Sequence, residues 1–111
     1  MIKIYGDIML DRWIYGSCER VSPEAPVIVM KEDEYNYSIG GAGNLATNLD
    51  SINGDVELYS CVAKDKEGDK LLELLKKTNI NCYIEPDADM TTTKTRFLGQ
   101  GGQLVLRLDI D

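Results

Sequence analysis

Helical and β-rich segments alternate in the middle of the chain, and this alternation restricts the fold more than any other feature. Residues 42–52 and residues 65–78 carry apolar side chains at a helical spacing, and Asn53-Gly54 is a plausible stop for the first helix. Three short segments have the composition of strands: 2–6, 55–62 and 80–84. Because helices that connect such strands favour parallel pairing, the pattern predicts an α/β fold with a Rossmann-like parallel sheet and flanking helices.

Two other segments, about residues 12–38 and 91–109, are also rich in strand-forming residues but do not fit this alternating layer. The first contains Pro23 and Pro26, which are unsuited to a helix or strand interior. The second contains a glycine-rich turn at residues 99–102 between two β-rich runs, the pattern of a hairpin. We expect the two segments to pair with each other as a small separate sheet.

The charge balance argues against a nucleic-acid partner. The chain has 12 basic and 19 acidic residues, for a formal net charge of −7, whereas nucleic-acid binding requires a basic face. No apolar run approaches the roughly 20 residues that a membrane span needs. The first residues already have the pattern of a strand and not of a signal peptide. We therefore expect a cytoplasmic protein without a membrane partner.

The residue types limit the available chemistry. The chain has no histidine, which removes Ser-His-Asp and Cys-His catalysis. Its cysteines, Cys18, Cys61 and Cys82, are odd in number and far apart in sequence. This spacing suits neither a disulfide framework nor a zinc site, so we expect reduced thiols, most of them buried, and no metal site.

A glycine-rich loop precedes the first predicted helix. Glycines at Gly40, Gly41 and Gly43 let a ligand approach the backbone, and Asn44 can cap the helix or reach a ligand hydroxyl. The spacing from Gly41 to Ala46 also matches a dinucleotide-binding fingerprint, but that fingerprint belongs after the first strand of its fold. A tight strand-to-helix turn without a ligand is an equally good interpretation.

Three charged side chains are further candidates for a binding site. Asp11 follows the first strand among apolar residues, at the sheet edge where α/β proteins bind ligands, and a carboxylate can accept hydrogen bonds from two sugar hydroxyls. Lys94 and Arg96 are two residues apart on a predicted strand, so they share one face and can form a phosphate site. A surface aspartate and a solvated basic strand face are the structural alternatives.

Taken together, these segments resemble the ribokinase/PfkB family of carbohydrate kinases. The similarity runs from residue 2 to about residue 110 and is carried by GDIMLDRWIYG, VSPEAPVIV, GGAGNLATNL, VAKDKEG, TKTR, GGQ and LRLD. Within the family the motifs look most like the D-glycero-β-D-manno-heptose 7-phosphate kinases of ADP-heptose synthesis. The resemblance implies sugar-hydroxyl contacts at Asp11, a sugar-holding loop and a basic strand at the phosphate end. The substrate-binding set is then Asp11, Arg12, Gly40, Gly41, Asn44, Lys94 and Arg96.

The resemblance also implies roles for whole segments. Segments 12–38 and 91–109 match the family's lid, which covers the sugar and forms a homodimer in several members. The family uses ATP and Mg²⁺, and its catalytic base lies in a Gly-Ala-Gly-Asp motif that we expect beyond Asp111. We therefore expect residues 1–111 to be one N-terminal part of a truncated ribokinase-like domain, with sugar-phosphate binding but no catalytic residue, ATP site or metal. A PfkB kinase part for another sugar and a non-catalytic sugar-binding or dimerising remnant are the alternatives.

Overall fold

The computed structural model describes residues 1–52 and 54–111, which form two β-sheets and two α-helices. The elements in chain order are β1 (Ile2–Tyr5), β2 (Ile8–Val21), β3 (Ile28–Gly41), α1 (Ala42–Ser51), β4 (Val56–Cys61), α2 (Lys66–Lys76), β5 (Asn81–Glu85), β6 (Thr93–Leu98), a 3-10 turn (Gln100–Gly102) and β7 (Leu104–Ile110). Sheet A has the strand order β1-β4-β5, and sheet B has the order β3-β2-β6-β7.

Sheet A is the predicted parallel sheet. Ile4 of β1 lies beside Leu58 of β4, and Leu58 lies beside Cys82 of β5, with all pairs parallel. The apolar side chains of one face pack with those of the helices, so the prediction of a parallel layer with flanking helices is confirmed. The buried cluster consists of Ile4, Ile8, Leu10, Ile39, Ala46, Val56, Leu58, Val62, Leu71, Leu75 and Ile80.

Both helices begin and end close to the predicted positions. In α2, Leu71 and Leu75 are buried one turn apart. The N-terminal end of α2 is capped by the Asp65 carboxylate, which accepts a hydrogen bond from the Gly68 N–H at 2.7 Å. After α1, the Gly54 N–H donates to the Leu49 carbonyl at 2.9 Å. The stop predicted at Asn53 lies outside the described residues.

Sheet B joins the two strand-rich segments, as predicted. The antiparallel pair β2–β3 has 14 residues in each strand, and β6 pairs in parallel with β2 and antiparallel with β7. The strands extend beyond the expected limits at residues 12 and 38, since β2 begins at Ile8 and β3 continues to Gly41. Ile8, Leu10 and Ile39 belong to the buried cluster, so burial of apolar side chains holds the base of this sheet against the rest of the fold.

The cysteines are free, but they are less buried than expected. Cys18 is half-buried, whereas Cys61 and Cys82 are exposed, so the expectation of mostly buried thiols is wrong. Cys61 ends β4, and Cys82 lies on β5, an edge strand with a neighbour on only one side. Among residues 1–52 and 54–111, neither helix has the length and apolar character needed to cross a bilayer.

Candidate functional site

Strand pairing brings most of the predicted site residues onto one side of sheet B. In the parallel pair β2–β6, Asp11 lies opposite Lys94 and Trp13 lies opposite Arg96. Since side chains alternate along a strand and register partners share a side, these four residues project from the same surface. We call this surface the front face, defined by Asp11, Trp13, Lys94 and Arg96. Of the sequence-based set, Asp11, Lys94 and Arg96 are thus brought together by two paired strands that lie more than 80 residues apart in the chain.

Asp11 and Arg96 face each other across the strands. Asp11 Oδ1 lies 3.4 Å from Arg96 Nη1, and the two side chains are only 17% and 23% exposed. The distance suits an ion pair but not an aligned hydrogen bond, and neither atom has a hydrogen-bond partner among the described residues. Buried polar groups of this kind are costly to leave unsatisfied. The pair therefore retains hydrogen-bonding capacity that the hydroxyl and phosphate groups of a ligand can use.

Trp13 holds the Arg96 side chain in place. The Arg96 guanidinium carbon lies 4.6 Å from the centroid of the Trp13 ring, a cation–π arrangement. The indole Nε1–H donates to Ser38 Oγ at 3.1 Å, which fixes the plane of the ring. Sequence reasoning missed Trp13 as a site residue. Its position two residues after Asp11 on one strand is the signal that could have placed it on the same face.

The two predicted loop glycines make room for the Asp11 carboxylate and for the start of α1. A Cβ atom on Gly40 would lie 2.7 Å from Asp11 Oδ2, closer than side-chain atoms pack. Gly41 has a φ of +64°, which disfavours any side chain there. The Ala42 N–H then donates to the Asp7 carbonyl at 2.9 Å. The loop therefore lies directly beside the Asp11 carboxylate.

Asn44 lies in the first turn of α1 and is exposed. Within the described part of the chain its side chain makes no hydrogen bond, so it does not cap the helix.

The matching dinucleotide fingerprint, from Gly41 to Ala46, follows β3, a strand of the mixed sheet B. A dinucleotide-binding turn instead connects a parallel strand to the helix of a βαβ unit. The structure thus lacks the context that this fingerprint needs.

Lys94 lies in a charged row that continues onto β7. Its Nζ donates to Asp109 Oδ2 at 3.3 Å, and Arg107 Nη2 donates to the same oxygen at 2.8 Å. Desolvation tends to raise the pKa of the Asp109 carboxyl, but the hydrogen bonds from Arg107 and Lys94 outweigh it and hold that pKa below its usual range. This side of sheet B therefore carries two separate ion-paired groups, Lys94–Asp109–Arg107 and Asp11–Arg96.

Arg12, another residue of the predicted set, is separated from this group by the sheet itself. Because consecutive residues of a strand point to opposite sides, Arg12 projects from the other side of sheet B, which we call the back face. Its guanidinium carbon lies 6.0 Å from the ring centroids of both Tyr35 and Tyr37. Strand parity thus places Arg12 and Asp11 on opposite faces of sheet B, and the grouping of the two in one substrate site stays a prediction.

Asp11 and Arg96, whose side chains are 17% and 23% exposed, line none of the five cavities described for residues 1–52 and 54–111. Residues 1–52 and 54–111 also contain no group of three or more carboxylate or thiol side chains that could hold a metal ion. The arrangement provides a carboxylate, basic side chains and a close glycine backbone, which are groups chemically suited to binding hydroxyl and phosphate groups.

Known proteins share this sequence along its whole length. The model of the pfkB family carbohydrate kinases matches residues 1–108. The chain is 47% identical over 111 residues to "Bifunctional protein HldE" of Coxiella burnetii and 40% identical to the protein of that name in Haemophilus influenzae. Each match covers 99% of this chain and 23% of the relative, so the chain spans about a quarter of the length of these relatives.

Solved structures share the fold. A carbohydrate kinase from Agrobacterium tumefaciens superposes with a TM-score of 0.78 at 22% identity, covering 98% of this chain and 34% of that one. A ribokinase from Thermotoga maritima superposes with a TM-score of 0.69 at 19% identity, covering 98% and 35%. These likenesses confirm the ribokinase-like α/β fold that the sequence predicted. With the family model matching nearly every residue, the chain belongs to the pfkB family of carbohydrate kinases.

Proposed function

We propose that this chain is the sugar-phosphate-binding and lid portion of an ATP-dependent sugar kinase that acts on heptose 7-phosphate. The observation that carries the proposal is the Asp11–Arg96 pair beside Gly40, whose facing atoms are 3.4 Å apart and lack hydrogen-bond partners. The identity of 40–47% to proteins named HldE supports it, together with the resemblance of the motifs to heptose 7-phosphate kinases. We place the protein in the cytoplasm.

In this proposal the front face positions the substrate. The Asp11 carboxylate accepts hydrogen bonds from sugar hydroxyls, and Asn44 reaches a further hydroxyl from the start of α1. Arg96, held by Trp13, and Lys94 bind the phosphate that the substrate already carries. Arg96 offers the phosphate a planar pair of donors, whereas Lys94 contributes a single cationic centre. Positioning of this kind lowers a reaction barrier without any covalent step by the residues involved.

The phosphoryl transfer itself requires more than positioning. When bound, ATP with Mg²⁺ supplies the phosphoryl group in this type of reaction, and a catalytic base accepts the proton of the attacking hydroxyl. The described residues contain no group of three or more carboxylate or thiol side chains that could hold a metal ion, and we assign neither the base nor the ATP site to any residue of this chain. The chain alone is therefore expected to bind the sugar phosphate and not to turn over ATP.

A ligand-induced shift of the melting temperature tests the substrate class. Heptose 7-phosphate should raise the melting temperature of the 111-residue chain, whereas ribose and NAD should not, because only a phosphorylated sugar engages both Asp11 and Arg96. Asp11→Asn should remove the shift, and Asp33→Asn, at an exposed position of β3, is the matched control.

Other outcomes of the same titration point elsewhere. A shift with NAD alone would refute the kinase assignment. A shift with another sugar phosphate but not with heptose 7-phosphate would keep the family and correct the substrate. A shift unchanged by Asp11→Asn would remove Asp11 from the site. ATP turnover by the purified chain would contradict the proposal that the chain lacks the catalytic half.

We also propose that sheet B acts as a lid that pairs with a second copy of the chain. The edge strand β7 has one unpaired side, and its apolar side chains form an exposed row at Leu104, Leu106, Leu108 and Ile110. Exposed rows of this kind on an edge strand invite association. Sedimentation should therefore show a dimer, and Leu106→Lys should shift it towards monomer. A wild-type chain that stays monomeric at high concentration would refute this assignment.

A further inference from the structure

The back face of sheet B carries a cavity that the proposed sugar site does not use. It has a volume of about 350 Å³ and lies between the first turns of α2 and the base of the sheet. Its polar lining includes Arg12, Lys66 and Lys70, together with the buried Thr95. Apolar side chains of Leu10, Leu108 and Ile110 complete the wall. The cavity thus combines an apolar wall with three cationic groups.

Arg12 is an incompletely satisfied cation in this cavity. Its Nε atom is buried and has no hydrogen-bond partner among the described residues. Among the described residues, no carboxylate lies within ion-pair distance of its guanidinium. The guanidinium carbon lies 6.0 Å from the ring centroids of Tyr35 and Tyr37. A buried guanidinium donor without an acceptor is costly unless a water or an anion completes it.

Two lysines of α2 add positive charge to the same space. Lys70 Nζ lies 5.2 Å from the centroid of the Tyr37 ring that Arg12 also approaches. Within the described part of the chain, Lys70 forms an ion pair only with the exposed Glu73, 3.5 Å away in an (i, i+3) pair, which contributes little. Lys66 is the first residue of α2, where the helix dipole is positive. Glu67 is the single carboxylate in the lining, so the cavity is net positive in a chain of net charge −7.

We propose that this back-face cavity binds a phosphate-bearing small molecule, at a site separate from the front face. A phosphate group carries several acceptor oxygens, so it can bind Arg12, Lys66 and Lys70 at once and relieve the repulsion among them. The volume lies at the lower end of small-molecule sites, which suits a phosphomonoester of modest size. Because β2 presents Asp11 and Arg12 to opposite sides, occupancy of one site does not block the other.

Titration with inorganic phosphate at constant ionic strength tests this site in the 111-residue chain. Backbone amide NMR signals of the first two turns of α2 should shift and saturate, because these residues line the cavity and are absent from the front face. Arg12→Gln should weaken phosphate binding about tenfold or more, as expected for loss of a charge-assisted hydrogen bond. Lys76→Gln, at the other end of the same helix, is the matched control and should leave the affinity unchanged.

The opposite pattern overturns the proposal. The phosphate would bind on the front face alone if the NMR shifts appeared at Arg96 and if Arg96→Gln, but not Arg12→Gln, removed the binding. Shifts that never saturate, or that Lys76→Gln weakens as much, would show general charge screening. If Arg12→Gln does not fold, the double substitution of Lys66→Gln and Lys70→Gln decides the question, since an unchanged affinity in that variant also refutes the site.

Discussion

The connection between α2 and β6 rests on one carboxylate, which makes Asp65→Ala an informative perturbation. Asp65 Oδ1 accepts hydrogen bonds from the Gly68 N–H and the Thr91 hydroxyl, each at 2.7 Å, and Oδ2 accepts from the Thr91 N–H at 3.0 Å. Thr91 is 4% exposed, and its Oγ1 accepts a hydrogen bond from the Ala63 N–H at 3.0 Å. The carboxylate thus joins the end of the helical layer to the start of sheet B.

The expected loss follows from these contacts. Removing the helix cap costs about 1 kcal/mol. The two Thr91 donors lose their acceptor, and each such hydrogen bond contributes about 1 kcal/mol net. We therefore expect Asp65→Ala to lower the free energy of unfolding by about 2–3 kcal/mol. Asp69→Ala is the matched control, because Asp69 is exposed in the same turn and makes no such contacts; it should cost less than about 1 kcal/mol.

The same carboxylate should make stability depend on pH. Desolvation raises the pKa of Asp65, but the hydrogen bonds from Thr91 and Gly68 outweigh it and hold that pKa below its ordinary value. A depressed pKa in the folded state means that the stabilisation is present above the unfolded-state pKa of about 3.9 and is lost as the pH falls through the folded-state pKa.

Urea unfolding at neutral and acidic pH measures both effects. The difference in free energy of unfolding between the wild-type chain and Asp65→Asn should shrink as the pH falls through this range, because the carboxylate becomes protonated and the amide does not titrate. Asp65→Asn should also retain part of the helix cap and so lie between the wild type and Asp65→Ala at neutral pH. A free energy of unfolding for Asp65→Ala within about 0.5 kcal/mol of the wild type would refute the reasoning. So would equal acid sensitivity of the wild type and Asp65→Asn.

Two further substitutions test local geometry. Gly40→Ala should lower the free energy of unfolding in urea by about 1–3 kcal/mol, because the new methyl group displaces the Asp11 carboxylate. The same substitution should remove the rise in melting temperature that the sugar phosphate causes. Gly99→Ala is the control, and a melting shift retained by Gly40→Ala would contradict the assignment of Asp11. The hydrogen bond that Tyr59 donates to Glu57, followed by desolvation, raises the pKa of Tyr59 to about 12. Glu57→Ala should therefore move the last step of the phenolate absorbance titration to lower pH. A step at unchanged pH would exclude the hydrogen bond as the cause. Since the folded-state pKa of Tyr59 is raised, its stabilising effect is present below about pH 10 and is lost as the pH rises through about 12.

The parallel layer could be predicted from sequence because burial imposes a pattern there. The helical spacing of α2 exists because Leu71 and Leu75 must face sheet A. The long strand β3 is different. Its residues 31–36 are exposed on both faces, so no alternation of apolar and polar side chains marks them. Pairing with β2 keeps this acidic stretch extended, and backbone pairing leaves little trace in side-chain composition.

The stack of tyrosines on sheet A shows a second limit of sequence reasoning. Tyr5, Tyr59 and Tyr83 lie in one register row of β1, β4 and β5, with ring centroids 4.6 and 4.9 Å apart. Nothing in the spacing of these residues along the chain relates them to one another. Their contact depends on the register of three parallel strands, which is set by the packing of the opposite face against the helices. Only the assembled sheet brings the rings together.

The same dependence on strand geometry decides what belongs to the candidate site. Asp11 and Arg12 are neighbours in sequence, and the sequence-based grouping treats them as one site. Because residues 8–21 form a strand, adjacent side chains point to opposite faces of the sheet. Trp13 therefore lies on the same face as Asp11, where it contacts Arg96, and Arg12 lies on the other face. Lys94 and Arg96 keep their predicted relation because they are two residues apart. Strand parity therefore divides the charges of β2 between two faces, and the two sites that we propose, one for a sugar phosphate and one for a second anion, both depend on this division.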